Sequence, residues 1–209
     1  MKVEIWSDVM CPFCYIGKHR FEEALAQFNS ADGIEVIWKS YQLNPDLKTD
    51  PTINIHQYLA NIKGIDLDDA KQMNQQVTEM AESAGLTYDF DHAIVANSFD
   101  AHRLSHLAAQ YGLGNAAEEA LFKAYFTEGK NIADKETLIV IGAGIGLDTE
   151  EIKHMLNTDA FAEDVKHDIT EAQQLGVRGV PFFVFDRKFA VSGAQSTEVF
   201  LQTLEKALI

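Results

Sequence analysis

Cysteine is nearly missing from this chain of 209 residues: the two that occur, Cys11 and Cys14, lie three positions apart. No structural disulfide can form elsewhere, and a chain of this length buries enough apolar surface to fold without one. A four-cysteine zinc site is excluded too, because structural zinc takes four ligands. His102 and His106 have helical spacing but lack the neighbouring acid of a metalloprotease motif, so no metal is expected. Cations are also scarce. Lys and Arg total 17 against 32 Asp and Glu, a formal charge of −15 that repels nucleic acid and anionic membrane surfaces. No apolar run approaches the ~18 residues expected of a membrane span. Residues 1–8 read as a strand, without the apolar stretch and cleavage site of a secretory leader. The cytoplasm is the expected compartment.

What is present centres on Cys11-Pro12-Phe13-Cys14. This stretch follows an apolar run, Val3 to Val9, and precedes a helical pattern, so both thiols belong where a strand hands over to a helix. There the unpaired N–H groups and the positive end of the helix dipole favour thiolate over thiol. Pro12 suits the first helical position, which needs no N–H. Cys14 lies one turn on, within reach of a mixed disulfide formed at Cys11. A dithiol cycling between reduced and oxidised forms is the chemistry this spacing serves.

In chain order, residues 2–8 read as a central strand covered on both faces. Phe21, Leu25 and Phe28 recur at helical spacing from Pro12 to about Asn29. Ile34 to Leu43 is a second strand, rich in β-branched and aromatic residues and ended by Asn44-Pro45. Strand, helix, strand in ~40 residues is a βαβ unit with parallel strands. Pro45 to Asn54 reads as a polar loop, and from there to Gly176 the patterns are helical. Asp66, Asn115, Asp134 and Asp148 are expected helix caps, with Glu151 completing a capping box on Asp148. Phe161, Val165, Ile169, Ala172 and Leu175 form one long apolar stripe. Val180 to Asp186 and Phe189 to Ser192 then pair as a hairpin, and a last helix, capped by Ser196, carries Phe200, Leu204 and Leu208. The expected division is residues 1–45 and 161–209 as two parts of one α/β domain, with a helical insertion over 46–160.

Residues 7–15 (SDVMCPFCY) and 179–185 (GVPFFVF) together resemble the thioredoxin superfamily, and the helical block between them resembles the DsbA type. Leu43-Asn44-Pro45, residues 97–104 (NSFDAHRL), residues 121–129 (LFKAYFTEG) and Gly193-Ala194-Gln195 are similar to the FrnE-like branch. Some members carry a second cysteine pair, which this chain lacks. The resemblance implies a thioredoxin-like fold with a large all-helical insertion. It implies that Cys11 is the exposed nucleophile and Cys14 the buried resolving thiol, supported by Pro12 and Phe13. It implies a cis Val180–Pro181 peptide facing them, whose backbone pairs with an extended substrate strand. Asn97, His102 and Gln195 are candidates for the substrate groove, Asn97 and His102 having a purely structural alternative along with Arg103. Tyr125, Phe126, Phe182 and Phe183 read as core. Lys39, amid Trp38 and Tyr41, either pairs with an acid or extends outward.

The expected activity is thiol–disulfide exchange on protein or small-molecule disulfides, with no metal or organic cofactor and glutathione or a dithiol protein as electron partner. Phe13 brings an apolar ring where a basic residue would add charge beside Cys11, so a less oxidising pair is expected than with histidine there. Two other readings stand beside it. Kappa-class glutathione transferases and hydroxychromene-carboxylate isomerases share this architecture, which implies a glutathione-dependent isomerase of aromatic substrates; those enzymes typically carry serine at the position of Cys11. A peptide-binding holdase is the third.

Overall fold

The computed structural model describes residues 1–208. The N-terminal apolar run becomes β1 (Lys2–Ser7), buried at every position after Lys2. Alternation of side chains splits it between two faces. Val3 and Ile5 pack with Phe21, Phe183, Phe200 and Leu204, while Trp6 turns to Ala172, Val177 and Val184 on the other side. The chain continues as α1 (Pro12–Gln27), makes a 3₁₀ turn at Ala31–Gly33, and returns as β2 (Glu35–Ser40) parallel to β1, Val3 opposite Val36 and Ile5 opposite Trp38. The predicted βαβ unit is therefore present.

The stretch read as a polar loop holds a strand instead. After β3 (Asp50–Asn54) come α2 (Ile55–Lys63) and α3 (Leu67–Ser83), and β4 (Ile94–Val95) then pairs antiparallel with β3 as a separate two-stranded sheet. Residues 51–54 are exposed and follow no two-residue alternation, so their partner 40 residues on leaves no local trace. The helices continue as α4 (Phe99–Gln110), α5 (Gly114–Phe126), α6 (Lys135–Gly144), α7 (Thr149–Asn157) and α8 (Ala162–Gln174).

Side-chain caps account for four of the nine α-helix starts among the described residues, at Asn54, Asp66, Asp134 and Asp148. Asp66 accepts from Asp69 N at 2.9 Å and Asp134 from Thr137 N at 2.9 Å. Asp148 accepts from Glu150 N and Glu151 N, but Glu151 does not return the bond of a capping box; its carboxylate takes the Tyr111 hydroxyl at 2.6 Å. Asn115 is not a cap. It lies inside α5, where its side chain accepts from Trp38 Nε1 and donates to Glu22. Ser196 stands at the start of the last helix without a capping bond from its side chain.

The predicted hairpin is β5 (Phe182–Phe185) and β6 (Phe189–Ser192), turned through Asp186 and Arg187 at φ 46° and 57°, and α9 (Thr197–Ala207) closes the described chain. The main sheet runs β2-β1-β5-β6, with β5 antiparallel to β1. α1 and α9 cover one face, and α8 lies over the other. This is a thioredoxin-like α/β fold carrying a large helical insertion.

The stripe along α8 hides a charge. Asp168, 2% exposed, accepts from Lys39 Nζ at 2.8 Å, Ser40 N at 3.0 Å and His106 Nε2 at 3.1 Å, while its backbone carbonyl accepts from Trp6 Nε1 at 2.9 Å. Leu175, read as part of the stripe, is 46% exposed. Lys39 thus pairs with acids, reaching Glu171 as well at 3.2 Å. Burial opposes the ionised form of Asp168, but His106 and Lys39 outweigh it and hold the carboxyl below its ordinary range.

Candidate active site

Cys11 is the residue preceding α1, and Pro12 opens the helix. The Cys11 N–H donates to Asp8 O at 2.9 Å and the Cys14 N–H to Cys11 O at 3.0 Å, a tight turn that stacks both sulfurs on the first helical turn. Opposite stands the loop before β5, where the Val180–Pro181 peptide is cis. Cys11 Sγ lies 3.4 Å from Val180 O and donates to it. Residues 169 positions apart in the chain are thereby brought together.

Cys11 is not exposed as expected. Its residue surface is 3% exposed against 1% for Cys14, because Met10, Val180 and Ala194 pack around the same cluster. Phe13, by contrast, is 38% exposed. Burial, followed by the neighbouring Cys11, pushes the Cys14 thiol well up, so Cys14 keeps its proton in the dithiol form.

Gly17, one turn further along α1, makes room for the opposing loop: a Cβ there would lie 2.9 Å from Pro181 Cγ and 3.4 Å from Phe183 Cζ. Arg20 ties α1 to the same wall by donating to Ala194 O at 2.8 Å, and Tyr88 fastens its first turn by donating to Pro12 O at 2.7 Å. On the outer side of α1, Lys18 is buried between Glu22 at 2.8 Å and Glu119 at 2.6 Å, and Tyr15 donates to Glu119 at 2.6 Å. Burial works against the charge of Glu119, yet His19, Lys18 and Tyr15 hold its carboxyl down at about 2.

Asp8 anchors the turn from behind. Its carboxylate accepts from Met10 N at 3.2 Å and Leu43 N at 2.8 Å, and His102 Nε2 lies 3.5 Å away. Both residues are 2% exposed. Burial alone would raise Asp8 and lower His102, but each stabilises the other's charge: Asp8 is held below its ordinary value and His102 above. His102 is thus a buried partner of Asp8 and does not line the cavity beside the cysteines.

Asn97 also has its own task. It donates to Leu47 O at 2.8 Å and Pro45 O at 3.3 Å, and accepts from Phe99 N and Gln42, fixing the loop after β2 to the start of α4. Gln195 is exposed and bonded to Ser192 O. Arg103 is engaged with Asp100 and with carbonyls at the end of α7. None of the three lines the cavity beside the cysteines.

That cavity has a volume of about 400 Å³ and lies between the active-site turn and the helical insertion. Met10 and Pro12 contribute from the turn, Leu43 and Ile62 from its lip, and Tyr125 and Phe126 from α5. Tyr125 and Phe126 are buried as read from the sequence, yet they serve as wall as well as core. Periodicity marks a residue as inward-facing and says nothing of whether it meets a void.

A family model described as DSBA-like thioredoxin domain matches residues 2–205. The protein YwbO of Bacillus subtilis is 29% identical over 99% of this chain and 94% of its own length. Among solved structures, the probable DsbA oxidoreductase SCO1869 of Streptomyces coelicolor is 40% identical with a TM-score of 0.93, covering all of this chain and 90% of that one. The cytosolic disulfide reductase DsbM of Pseudomonas aeruginosa, solved alone and with GSH, shares the fold at 17% identity; the unliganded structure has a TM-score of 0.72, with 100% and 98% of the chains covered.

Proposed function

The chain belongs to the DSBA-like thioredoxin domain family, and on that premise we propose that it is a thiol–disulfide oxidoreductase working through Cys11 and Cys14. The carrying observation is the pair itself: two thiols on one helical turn, Cys11 Sγ facing Val180 O at 3.4 Å and Cys14 buried beneath it. In the reducing direction the Cys11 thiolate attacks one sulfur of a substrate disulfide. The S–S bond breaks, the departing sulfur takes up a proton, and a mixed disulfide remains. Cys14 then gives up its proton and attacks Cys11 Sγ, releasing the second substrate thiol. The substrate gains two electrons and the enzyme is left with a Cys11–Cys14 disulfide. Two equivalents of glutathione, or one dithiol protein, restore the dithiol. The oxidising direction is the same path reversed.

Burial barely separates the two sulfurs, and the roles follow instead from the raised Cys14 thiol and from Cys11 standing at the helix start opposite Val180. Cys14 holds its proton until the mixed disulfide forms. Val180 and Pro181 offer backbone to an extended substrate, and Gly17 sets the distance at which that wall approaches α1. The cytoplasmic location belongs to the same proposal and is checked by fractionating cells.

Trapping in cells tests the reaction. A Cys14→Ser protein is expected to accumulate mixed disulfides at Cys11, and Cys11→Ser to accumulate none and to lose disulfide reductase activity. If Cys14→Ser forms no adduct with protein or glutathione, and Cys11→Ser still turns over aromatic substrates with glutathione, the enzyme is instead a glutathione-dependent isomerase.

A further inference from the structure

Ser7, the last residue of β1, is 2% exposed, and its hydroxyl has no hydrogen-bond partner among the described residues. Its backbone carbonyl is engaged, accepting from Tyr41 N at 2.9 Å, so the side chain alone is left over. A buried hydroxyl without a partner is costly and rare. Two-residue alternation places Ser7 on the same face of β1 as Val3 and Ile5, which pack with Phe21 of α1. Along α1, Cys14 and Phe21 stand seven residues apart, two helical turns, and so share one face with Phe28 just beyond its end. Because β1 and β2 are parallel, α1 carries the chain back along the sheet, and β1 read from Val3 to Ser7 runs beside α1 read from Phe28 to Cys14. Ser7 therefore faces the first turn of α1 at Cys14. The sulfur responds to it: burial and the neighbouring Cys11 push the Cys14 thiol up, while the Ser7 hydroxyl and the Asp8 N–H, both donors from the end of β1, act the other way. Around the pair stand the Asp8 carboxylate, matched by His102 of α4, and the Tyr88 phenol, which burial keeps protonated.

We propose that the Ser7 hydroxyl donates to the Cys14 sulfur as that sulfur becomes a thiolate and resolves the mixed disulfide. The inference rests on the thiol–disulfide reading and assigns a further residue to its second step. Once Cys11 is bonded to substrate it carries no charge, so its opposition to a Cys14 thiolate ends. A neutral thiol is a weak acceptor and a thiolate a strong one, so the hydrogen bond from Ser7 is made as the charge appears. A contact stronger in the transition state than in the ground state is one that speeds the step. Cys14 Sγ bonds to Cys11 Sγ, and the bond from Cys11 to the substrate sulfur breaks, its electron pair leaving with the substrate. The departing sulfur takes up a proton in place of the one that Cys14 lost, and Ser7 keeps its own. In the oxidising direction Cys14 is the sulfur that leaves, and the same hydroxyl stabilises it.

A chromogenic disulfide, dithiobis(nitrobenzoate), separates the two steps in a rapid-mixing experiment with the dithiol enzyme. One coloured thiol leaves when Cys11 attacks, and a second leaves when Cys14 resolves. In Ser7→Ala the first release is expected to match wild type within about twofold. The second is expected to be roughly tenfold slower, with its pH midpoint about one unit higher, the size of one hydrogen bond to a charged group. Ser7→Thr keeps the hydroxyl and is expected to restore both the second release and its midpoint. An unchanged second release and midpoint in Ser7→Ala overturns the proposal. So does an equal slowing of both releases, which would make Ser7 a packing residue, and so does a second release that threonine fails to restore while the first stays normal. The two levels separate in the wild type. A second release no faster than that of the urea-unfolded chain would overturn the thiol–disulfide reading itself, whereas a fast wild-type release that Ser7→Ala leaves untouched overturns the Ser7 assignment alone.

Discussion

Asp8 and His102 show how single side chains carry the site without touching a substrate disulfide. Each is buried, and each keeps the other charged. Asp8 has a lowered value, so its contribution to stability is present above the ordinary 3.8 and is lost as pH falls through the lowered value. His102 has a raised value, so its contribution is full below the ordinary 6.5 and is lost as pH rises through the raised value. The pair therefore stabilises most between those two ordinary values. Replacing His102 by Gln leaves the Asp8 carboxylate buried without its cation, at a cost of about 3–5 kcal/mol in that window. Urea unfolding across the pH range reads this directly: the variant is expected to lose the alkaline decline of the wild type, and an identical profile would contradict the pairing. At Gly17 the argument is steric. Gly17→Ala sets a methyl against the Pro181 ring, which has no free rotor to yield, and overpacking of this kind costs about 1–3 kcal/mol. Disulfide reductase activity is expected to fall with it as the loop facing Cys11 shifts; full activity with unchanged melting would show that the loop is free to retreat.

At the scale of elements, α8 is held to the sheet by a buried charge as well as by its apolar stripe. Asp168→Ala removes the acceptor for Lys39, Ser40 N and His106 together, and about 3–5 kcal/mol of unfolding free energy is expected to go with it. Equilibrium denaturation measures the loss, and a change under 1 kcal/mol would mean that Glu171 takes over Lys39 completely. Asp134→Ala, which strips only a cap from α6, is expected to cost about 1 kcal/mol. These elements differ in how far the sequence announced them. β1, α1, β2 and the closing hairpin were legible because their signals are local: an apolar run, a helical period, a tight polar turn. The placing of Cys11 and Cys14 at a strand-to-helix turn was legible for the same reason, whereas the cis Val180–Pro181 peptide followed from the family resemblance. β3 was not, since an exposed strand with a proline carries no alternation and depends on a distant partner. Asp168 carries no signal of its own beside that stripe, because the groups that satisfy it come from β2 and α4. Asn97 and His102 were singled out, but a polar residue turned inward to hold a loop reads in sequence like one turned toward a ligand.

Over the whole molecule the formal charge of −15 works against compactness, as self-repulsion among carboxylates is relieved on unfolding. Thermal stability at pH 7 is expected to rise between low salt and about 0.15 M salt, where the screening length falls to about 8 Å; a flat salt response would place the ion-pair networks ahead of the net charge. The same field acts on substrates. Reduction of a cationic peptide is expected to slow with added salt, and that of a neutral one to remain level.

The first turn of α1 belongs to one core and the remainder to another: Cys11, Cys14 and Tyr15 are packed among the side chains of α4 and α5, whereas Phe21, Ala24 and Phe28 are packed against the sheet. The sulfurs are therefore structural members of a seam as well as reagents. Whichever bonding state lets that seam close better is the state the folded protein prefers, and a thermodynamic cycle makes the two preferences one quantity. The difference in unfolding free energy between the dithiol and disulfide forms equals the shift that folding imposes on the couple, with about 1.4 kcal/mol corresponding to 30 mV. For this protein a pair of denaturation curves, one for each form, is also an electrochemical measurement, and the packing of α4 and α5 is part of the electrode.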